Sequence, residues 1–395
     1  MNNKTIYLDN NATTQVAPEV FEAMKPFFCE LYGNPSSIHS FGGQVSEHIE
    51  NARREVAQLI GATFRDKENV ATEIIFTSCG TESDNAALRA AIAVRPGRKR
   101  IVTTVVEHPA ILSCCSQLER EGFEIVKLSV DGRGRLNMDE AKAVINEDTA
   151  IVSVMWANNE TGTIFPIAEL SAIAHQAGAL FHTDAVQAAG KVSIDVKRDG
   201  IDFLSISGHK LHAPKGVGAL YVRRGIRFTP FIHGGHQEKM RRGGTENVTS
   251  IIGMGEAARL ARLNLETEYT RLKEMRDKFE AKLLASIPRI RINGDLDNRL
   301  PNTSSVSFEC IEGEAILMYL DEQGICASSG SACTTGSLEP SHVLMSMGLP
   351  YIATHGTIRF SLSQYNTMEE LEKTAEVLVP IIANLRSISP FWEEK

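Results

Sequence analysis

Between about Ile74 and Tyr221 the chain alternates short, apolar, β-rich runs with helical stretches, and no other feature constrains its fold as strongly. The runs are Glu73–Thr77, Ile101–Thr104, Glu124–Leu128, Ala150–Met155, Leu180–Thr183, Phe203–Ile206 and Ala219–Val222. Amphipathic segments lie between several of them, one opening at Pro109 and ending by Gly122, another opening at Pro166 and ending by Gly178. Proline suits a first helical turn, and glycine suits the position just past the last. Upstream, Val45, Ile49, Ala52, Val56 and Leu59 recur at helical spacing and mark one face of a helix that Gly61 stops. Strand–helix alternation of this kind predicts an α/β fold with a mostly parallel sheet covered on both faces.

The pattern changes near residue 248. A helical stretch over Thr249–Ser286 leads to a strand at Ser304–Phe308 and a helix at Glu312–Gln323. A Gly/Ser-rich loop at Ala327–Ser337, a strand at Thr357–Leu362 and a helix at Met368–Ser387 follow. Mixed order predicts a smaller α+β domain completed by the first dozen residues. The expected division is 14–258 for the large domain, and 1–13 with 259–395 for the small one. A chain of 395 residues suits two domains, and 43% hydrophobic content fills them without disulfide or metal staples.

Charge and composition exclude several classes. Lys+Arg number 41 against 49 Asp+Glu, a net charge of -8 with no basic run, which argues against a nucleic-acid or anionic-membrane binder. No stretch approaches the ~18 consecutive apolar residues of a membrane span. The opening MNNKTIYLDNNATT has neither the basic nor the apolar region of a secretory leader. Seven cysteines, an odd count with no C-x-x-C, suggest free thiols in a reducing, cytoplasmic compartment.

Ligands of open α/β sheets collect beyond the carboxyl ends of strands. After Glu73–Thr77, Gly80 and Thr81 open an alanine-rich helix, either as an anion site or as a plain N-cap and turn. After Ile101–Thr104 comes His108, which alone reads as a polar surface residue. Asp184 and Gln187 follow Leu180–Thr183, and Ser207-Gly208-His209-Lys210 follow Phe203–Ile206. A lysine at a buried strand end is costly as a free ammonium, and condensation with an aldehyde cofactor removes that conflict. Pyridoxal 5'-phosphate needs such a lysine as a Schiff base, a carboxylate for its ring nitrogen, a phosphate cup and a stacking ring. Lys210, Asp184, the Gly80–Thr81 helix start with Ser207 and His209, and His108 supply one of each. A plain Lys210–Asp184 ion pair is the rival reading, weakened by four complementary parts at successive strand ends. His209-x-x-His212 and His233-x-x-His236 lack both the H-E-x-x-H form and a cysteine cluster, so no resident zinc is expected.

Cys333 sits in the small, polar run 327–337, where it is either a nucleophile carried on a mobile loop or an inert exposed thiol. Cys310 and Cys326, among apolar neighbours, read as buried structural thiols. Arg359 lies inside a strand, and its fork suits either an amino-acid carboxylate or an internal salt bridge. Asn159, after another strand end, is placed to share the first task.

Assembled, these residues resemble the cysteine desulfurases of the fold-type I pyridoxal-phosphate enzymes, the NifS/IscS group. The resemblance rests on YLDNNATT (7–14), GNPSSIHSFG (33–42), TSCGTESDN (77–85), VEHPA (106–110), WANNETG (156–162), HTDAVQAAGK (182–191), SGHKLHAPKGVG (207–218), RRGGTENV (241–248), SSGSACT (328–334) and LEPSHV (338–343). The wording around 153–166, 207–218 and 326–343 looks most like NifS, the nitrogenase-associated member. The resemblance implies that Lys210 carries the cofactor, Asp184 holds its ring nitrogen and Gln187 its ring hydroxyl, while His108 stacks on the ring and moves protons. Gly80, Thr81, Ser207 and His209 would bind phosphate, with Thr245 adding a contact across a homodimer interface. Asn159 and Arg359 would hold the carboxylate of L-cysteine. Cys333 would take its sulfur as a persulfide, leaving L-alanine. The implied acceptor is an iron–sulfur scaffold of the NifU or IscU kind, with Cys333 a transient cluster ligand in that complex. An aminotransferase, a selenocysteine lyase and a non-catalytic thiol carrier are the alternatives. Gln364 departs from the basic residue usual in relatives, for which a weakened surface contact is the expected consequence.

Overall fold

The computed structural model describes residues 5–62, 73–329 and 340–392. Strand β1 (Ile6–Tyr7) precedes helices Pro18–Met24, Pro26–Cys29 and Ser40–Leu59. The last carries the Val45–Leu59 apolar face, and its chain turns away at Gly61 with φ +68°. A large sheet follows, built from β2 (Ile74–Thr77), β3 (Arg100–Thr104), β4 (Glu124–Leu128), β5 (Thr149–Ser153), β6 (Leu180–Asp184), β7 (Phe203–Ser207) and β8 (Gly218–Val222). Its order is β2-β8-β7-β6-β5-β3-β4, and β8 alone runs against the rest.

Alternate residues of these strands enter two separate cores. Ile75, Ile101, Ile151, Leu180 and Phe203 pack against helices Gly80–Val94 and Pro109–Arg120. Phe76, Val102, Val152, Phe181 and Leu204 face the other way, with Ile49, Val56 and Leu170. A sheet buried on both faces explains why its strands read as continuous apolar runs. The expected strand at Ala150–Met155 ends earlier, at Ser153, because the Met155 N–H leaves the ladder for the Glu107 carboxylate at 3.0 Å.

A second sheet is antiparallel throughout, in the order β12-β13-β10-β9. Its strands are β9 (Ile290–Ile292), β10 (Thr303–Phe308), β12 (Ser328–Ser329) and β13 (Thr357–Ser361), while β11 (Ile325–Cys326) pairs in parallel with β1. Ile6 and Leu8 thereby join Val306, Phe308, Ile358 and Phe360 beneath helix Met368–Ser387. Helix Val248–Ser286, about 58 Å long at 1.5 Å per residue, puts Met254 and Ala258 into the large-sheet core and Leu272 and Phe279 into this one. Cys310 is buried as expected, but Cys326 is only half-buried, because β11 lies at the edge of a two-stranded pair. No helix among the described residues is long and apolar enough to cross a membrane.

Candidate active site

The carboxyl ends of β2, β3, β5, β6 and β7 open onto one cleft of about 370 Å³, to which β13 adds Arg359. Its lining includes Gly80, Thr81, His108, Asn159, Asp184, Gln187, Ser207, His209, Lys210 and Arg359. Residues spread over 280 positions of sequence thus meet because parallel strands all end on the same edge. Thr245 does not join them; it is exposed, beyond helix Gln237–Met240. Cys333 lies outside the described residues.

Lys210 ends the single turn Gly208–Lys210 directly after β7, and its Nζ donates to the carbonyl oxygens of Ala12, at 2.7 Å, and Asn11. Asp184 is the last residue of β6, 7% exposed, and accepts the Val186 N–H at 2.9 Å. Burial pushes its carboxyl up, against the pull of His108 and Lys210. His108 caps helix Pro109–Arg120, its Nδ1 accepting the Ala110 N–H at 3.1 Å, so a neutral ring carries its proton on Nε2. Burial lowers its basicity, as do Lys210 and His342, against the opposing pull of Asp184.

At the other end of the cleft, helix Gly80–Val94 starts without a side-chain cap, which leaves first-turn N–H groups for an anion. A Cβ on Gly80 would lie 2.8 Å from Val186 Cγ2 and 3.4 Å from Ser207 Cβ, so glycine is what lets this helix start so close to the end of β7. The His209 ring sits beside it, Nδ1 3.1 Å from the Thr13 hydroxyl. Burial, with Lys210, Lys215 and Lys191, pulls that ring down to about 4. A phosphate here supplies the negative charge these cationic groups lack. A pyridinium nitrogen would offset the burial that pushes the Asp184 carboxyl up and so favour its ionised form. The donor set therefore fits pyridoxal phosphate end to end.

Arg359 is 2% exposed. Its Nη1 donates to the Asn159 carbonyl at 3.0 Å, its Nη2 pairs with Asp9 Oδ1 at 2.9 Å, and its buried Nε has no partner. An internal salt bridge is present, then, yet the fork is incomplete. One flank of residues 330–339 lines this cleft, and the other pairs with the strand that supplies Arg359. Ser328 stands opposite Arg359 in the β12–β13 ladder, and His342 lines the wall with its Nε2 donating to the Glu107 carbonyl at 3.0 Å.

A family model described as aminotransferase class-V matches residues 6–374. The chain belongs to that family. Cysteine desulfurase NifS of Azotobacter vinelandii is 56% identical over 387 residues, covering 98% of this chain and 95% of that protein. Among solved structures, a NifS-like protein superposes with a TM-score of 0.89 at 38% identity, covering 97% of this chain and all of that one. SspA in complex with cysteine superposes with a TM-score of 0.79 at 33% identity, covering 92% and 100%. Within the class-V family the chain stands among the NifS-like cysteine desulfurases.

Several residues of this class-V cleft escaped residue-by-residue reading. Asn11 and Ala12, which hold Lys210, come from a motif quoted for resemblance but given no role. Glu107 is fully buried, accepts from Met155 N–H and the Thr104 hydroxyl, and is pushed up to about 8 by burial. Asp84, 1% exposed, keeps Oδ1 without a hydrogen bond, 3.6 Å from His182 Nε2, and burial raises it well above an ordinary carboxyl. Glu160, pushed up by burial to about 7, accepts the Ser341 hydroxyl. Among the described residues no group of three or more His, Cys, Asp or Glu is arranged to hold a metal ion. Gln364, expected at the surface, is half-buried and lines a small cavity with Lys191 and Lys210.

Proposed function

We propose that this protein is a pyridoxal-phosphate-dependent cysteine desulfurase that converts L-cysteine to L-alanine and carries the sulfur on Cys333. One observation supports the reading above the others. Lys210, the buried Asp184 carboxyl, an uncapped helix start and an incomplete guanidinium share one cleft. Bound pyridoxal phosphate supplies an electron sink for charge developing at the substrate Cα. The rest of the chemistry belongs to side chains. Asp184 would keep the ring nitrogen protonated, Gln187 would donate to the ring hydroxyl, and His108 would stack on the ring. The Gly80 and Thr81 N–H groups, Ser207 and His209 hold the phosphate. Arg359 and Asn159 orient the substrate carboxylate, and Lys210 Nζ takes the α-proton. The Cys333 thiolate would then bond to the substrate sulfur as the carbon–sulfur bond breaks, its electron pair staying with the carbon fragment; one proton delivered to Cβ and the α-proton returned to Cα complete alanine and leave a Cys333 persulfide.

The described neighbours of 330–339 support that role: His342, after it, lines the cleft, and Ser328, before it, pairs with Arg359. The same reading divides the chain into 14–258 and 1–13 with 259–395, makes it a cytoplasmic homodimer, and brings Thr245 from a second copy to the phosphate. Sulfur passes to a scaffold of the NifU or IscU kind for iron–sulfur assembly, nitrogenase metalloclusters included, with Cys333 a transient cluster ligand there.

The test is spectroscopic. Purified protein should show a visible pyridoxal band that L-cysteine perturbs, with one alanine per sulfide and no keto-acid requirement. Cys333→Ser should keep the band and lose sulfide release at least ~10³-fold, as removal of a nucleophile does. Undiminished sulfide release from that variant would sink the sulfur-transfer role.

A further inference from the structure

Gln187 has neighbours that dictate which end of its amide is which. Lys191, four residues on, places Nζ 3.0 Å from the Gln187 carbonyl and 3.3 Å from its Oε1. The Nε2 end donates to the Asn11 carbonyl at 2.9 Å. An ammonium can only donate and a carbonyl can only accept, so the reversed amide would set N–H against N–H and oxygen against oxygen. Asn11 is itself immobilised. Its N–H donates to the Ser361 hydroxyl at 2.9 Å, its Nδ2 to the Thr303 hydroxyl at 2.8 Å, and its Oδ1 accepts from Asn302 at 3.1 Å. Gln187 is thus held between a fixed acceptor and a fixed cation, and its second Nε2 hydrogen remains for an oxygen in the cleft.

We infer that Lys191 is a positioning residue that locks the Gln187 carboxamide with its N–H end toward the cofactor's ring oxygen. Lys191 does not line the main cleft. It faces a second cavity of about 80 Å³ that Lys210, Asn302, Glu268 and His212 also line, so it acts through Gln187 and not on substrate. Removal from water, together with Lys210 and Arg359, pulls Lys191 down to about 7. Its hold on Oε1 therefore weakens as pH rises past neutrality, when the ammonium loses the proton that enforces the orientation. Lys210 and Arg359 are the cations that oppose its charge, and Glu268 and His212 are the other titratable groups on the same cavity.

This rests on the cleft holding pyridoxal phosphate, and the experiment separates the two. In the holoenzyme, the pH midpoint of the visible cofactor band and the retention of pyridoxal phosphate on dialysis are measured for wild type, Lys191→Met and Lys191→Arg. The Met variant should shift the midpoint by about one pH unit and lose cofactor at least ~10-fold more readily, the factor expected for one hydrogen bond to a charged group. Lys191→Arg, still a donor only, should restore both. Should the Met variant fail to fold, Lys191→Gln fills the same space, but its amide donates and accepts, so the same shifts are expected. Wild-type titration and retention in the Met or Gln variant overturn the inference. A wild-type protein with no pyridoxal band overturns the parent reading instead.

Discussion

Arg53 and Arg359 are buried alike, 4% and 2% exposed, and differ in how completely they are matched. Arg53 donates through Nε to Glu50 at 3.1 Å, through Nη1 to Glu238 at 2.6 Å and the Ile74 carbonyl at 3.1 Å, and through Nη2 to Glu238 at 3.0 Å. Burial opposes its charge, Glu238 and Glu50 together outweigh burial, and the guanidinium is held more firmly protonated than usual. Arg359 has one backbone carbonyl, one oxygen of Asp9, and an Nε with no partner. A matched guanidinium ties helix Ser40–Leu59 to the edge of the large sheet. An unmatched one beside a cleft keeps donor capacity for a carboxylate that arrives later.

Three substitutions can break or sharpen that contrast. The largest effect is expected from Arg53→Met, which leaves Glu238 buried and unpaired and should cost about 3–5 kcal/mol of stability. Urea unfolding should register the loss, while activity per folded molecule stays near wild type. Arg359→Met should do the reverse. Its kcat/KM for L-cysteine should fall roughly 10²–10³-fold, the range for truncating one partner of a buried charge pair, with a smaller change in the urea midpoint. The contrast breaks if Arg359→Met loses stability and leaves KM and kcat untouched.

The smallest effect sharpens the point with carboxyls. Glu238 is buried with its cation, whereas Glu107 is buried among hydroxyl and amide donors and is pushed up to about 8. Between its ordinary value of about 4.5 and about 8 the native state keeps a proton that the unfolded chain releases. Stability attributable to Glu107 is therefore present at lower pH and falls as pH rises through that window, by up to ~1.4 kcal/mol per pH unit. Glu107→Gln should remove this slope, so the variant gains on wild type between about pH 5 and pH 8. Parallel stability curves for the two proteins would show Glu107 ionised throughout.

Most of the site was legible because it stands at strand ends. Apolar runs locate the strands, and the polar residues immediately after them, Asp184, Ser207 and Lys210 among them, are those a parallel sheet must gather on one edge. Arg359 could be read as a charge inside a strand, but not as a pair with Asp9, 350 positions away. That pairing requires β1 to lie against β11 and Asp9 to bridge Ser361. Glu107, Asp84 and Lys191 were passed over for a similar reason. Nothing in their local pattern reveals burial, and burial is what makes their chemistry unusual.

The amino-acid order alone determined the alternation of strands and helices, the edge on which function gathers and the residue types a pyridoxal cofactor needs, because periodicity and strand-end chemistry act over a few residues. Only the tertiary structure decided which guanidinium is matched, which carboxyl keeps its proton and which way the Gln187 amide faces. Those properties depend on solvent exclusion and on partners from distant segments, and neither is set until the two sheets and the long helix between them have packed.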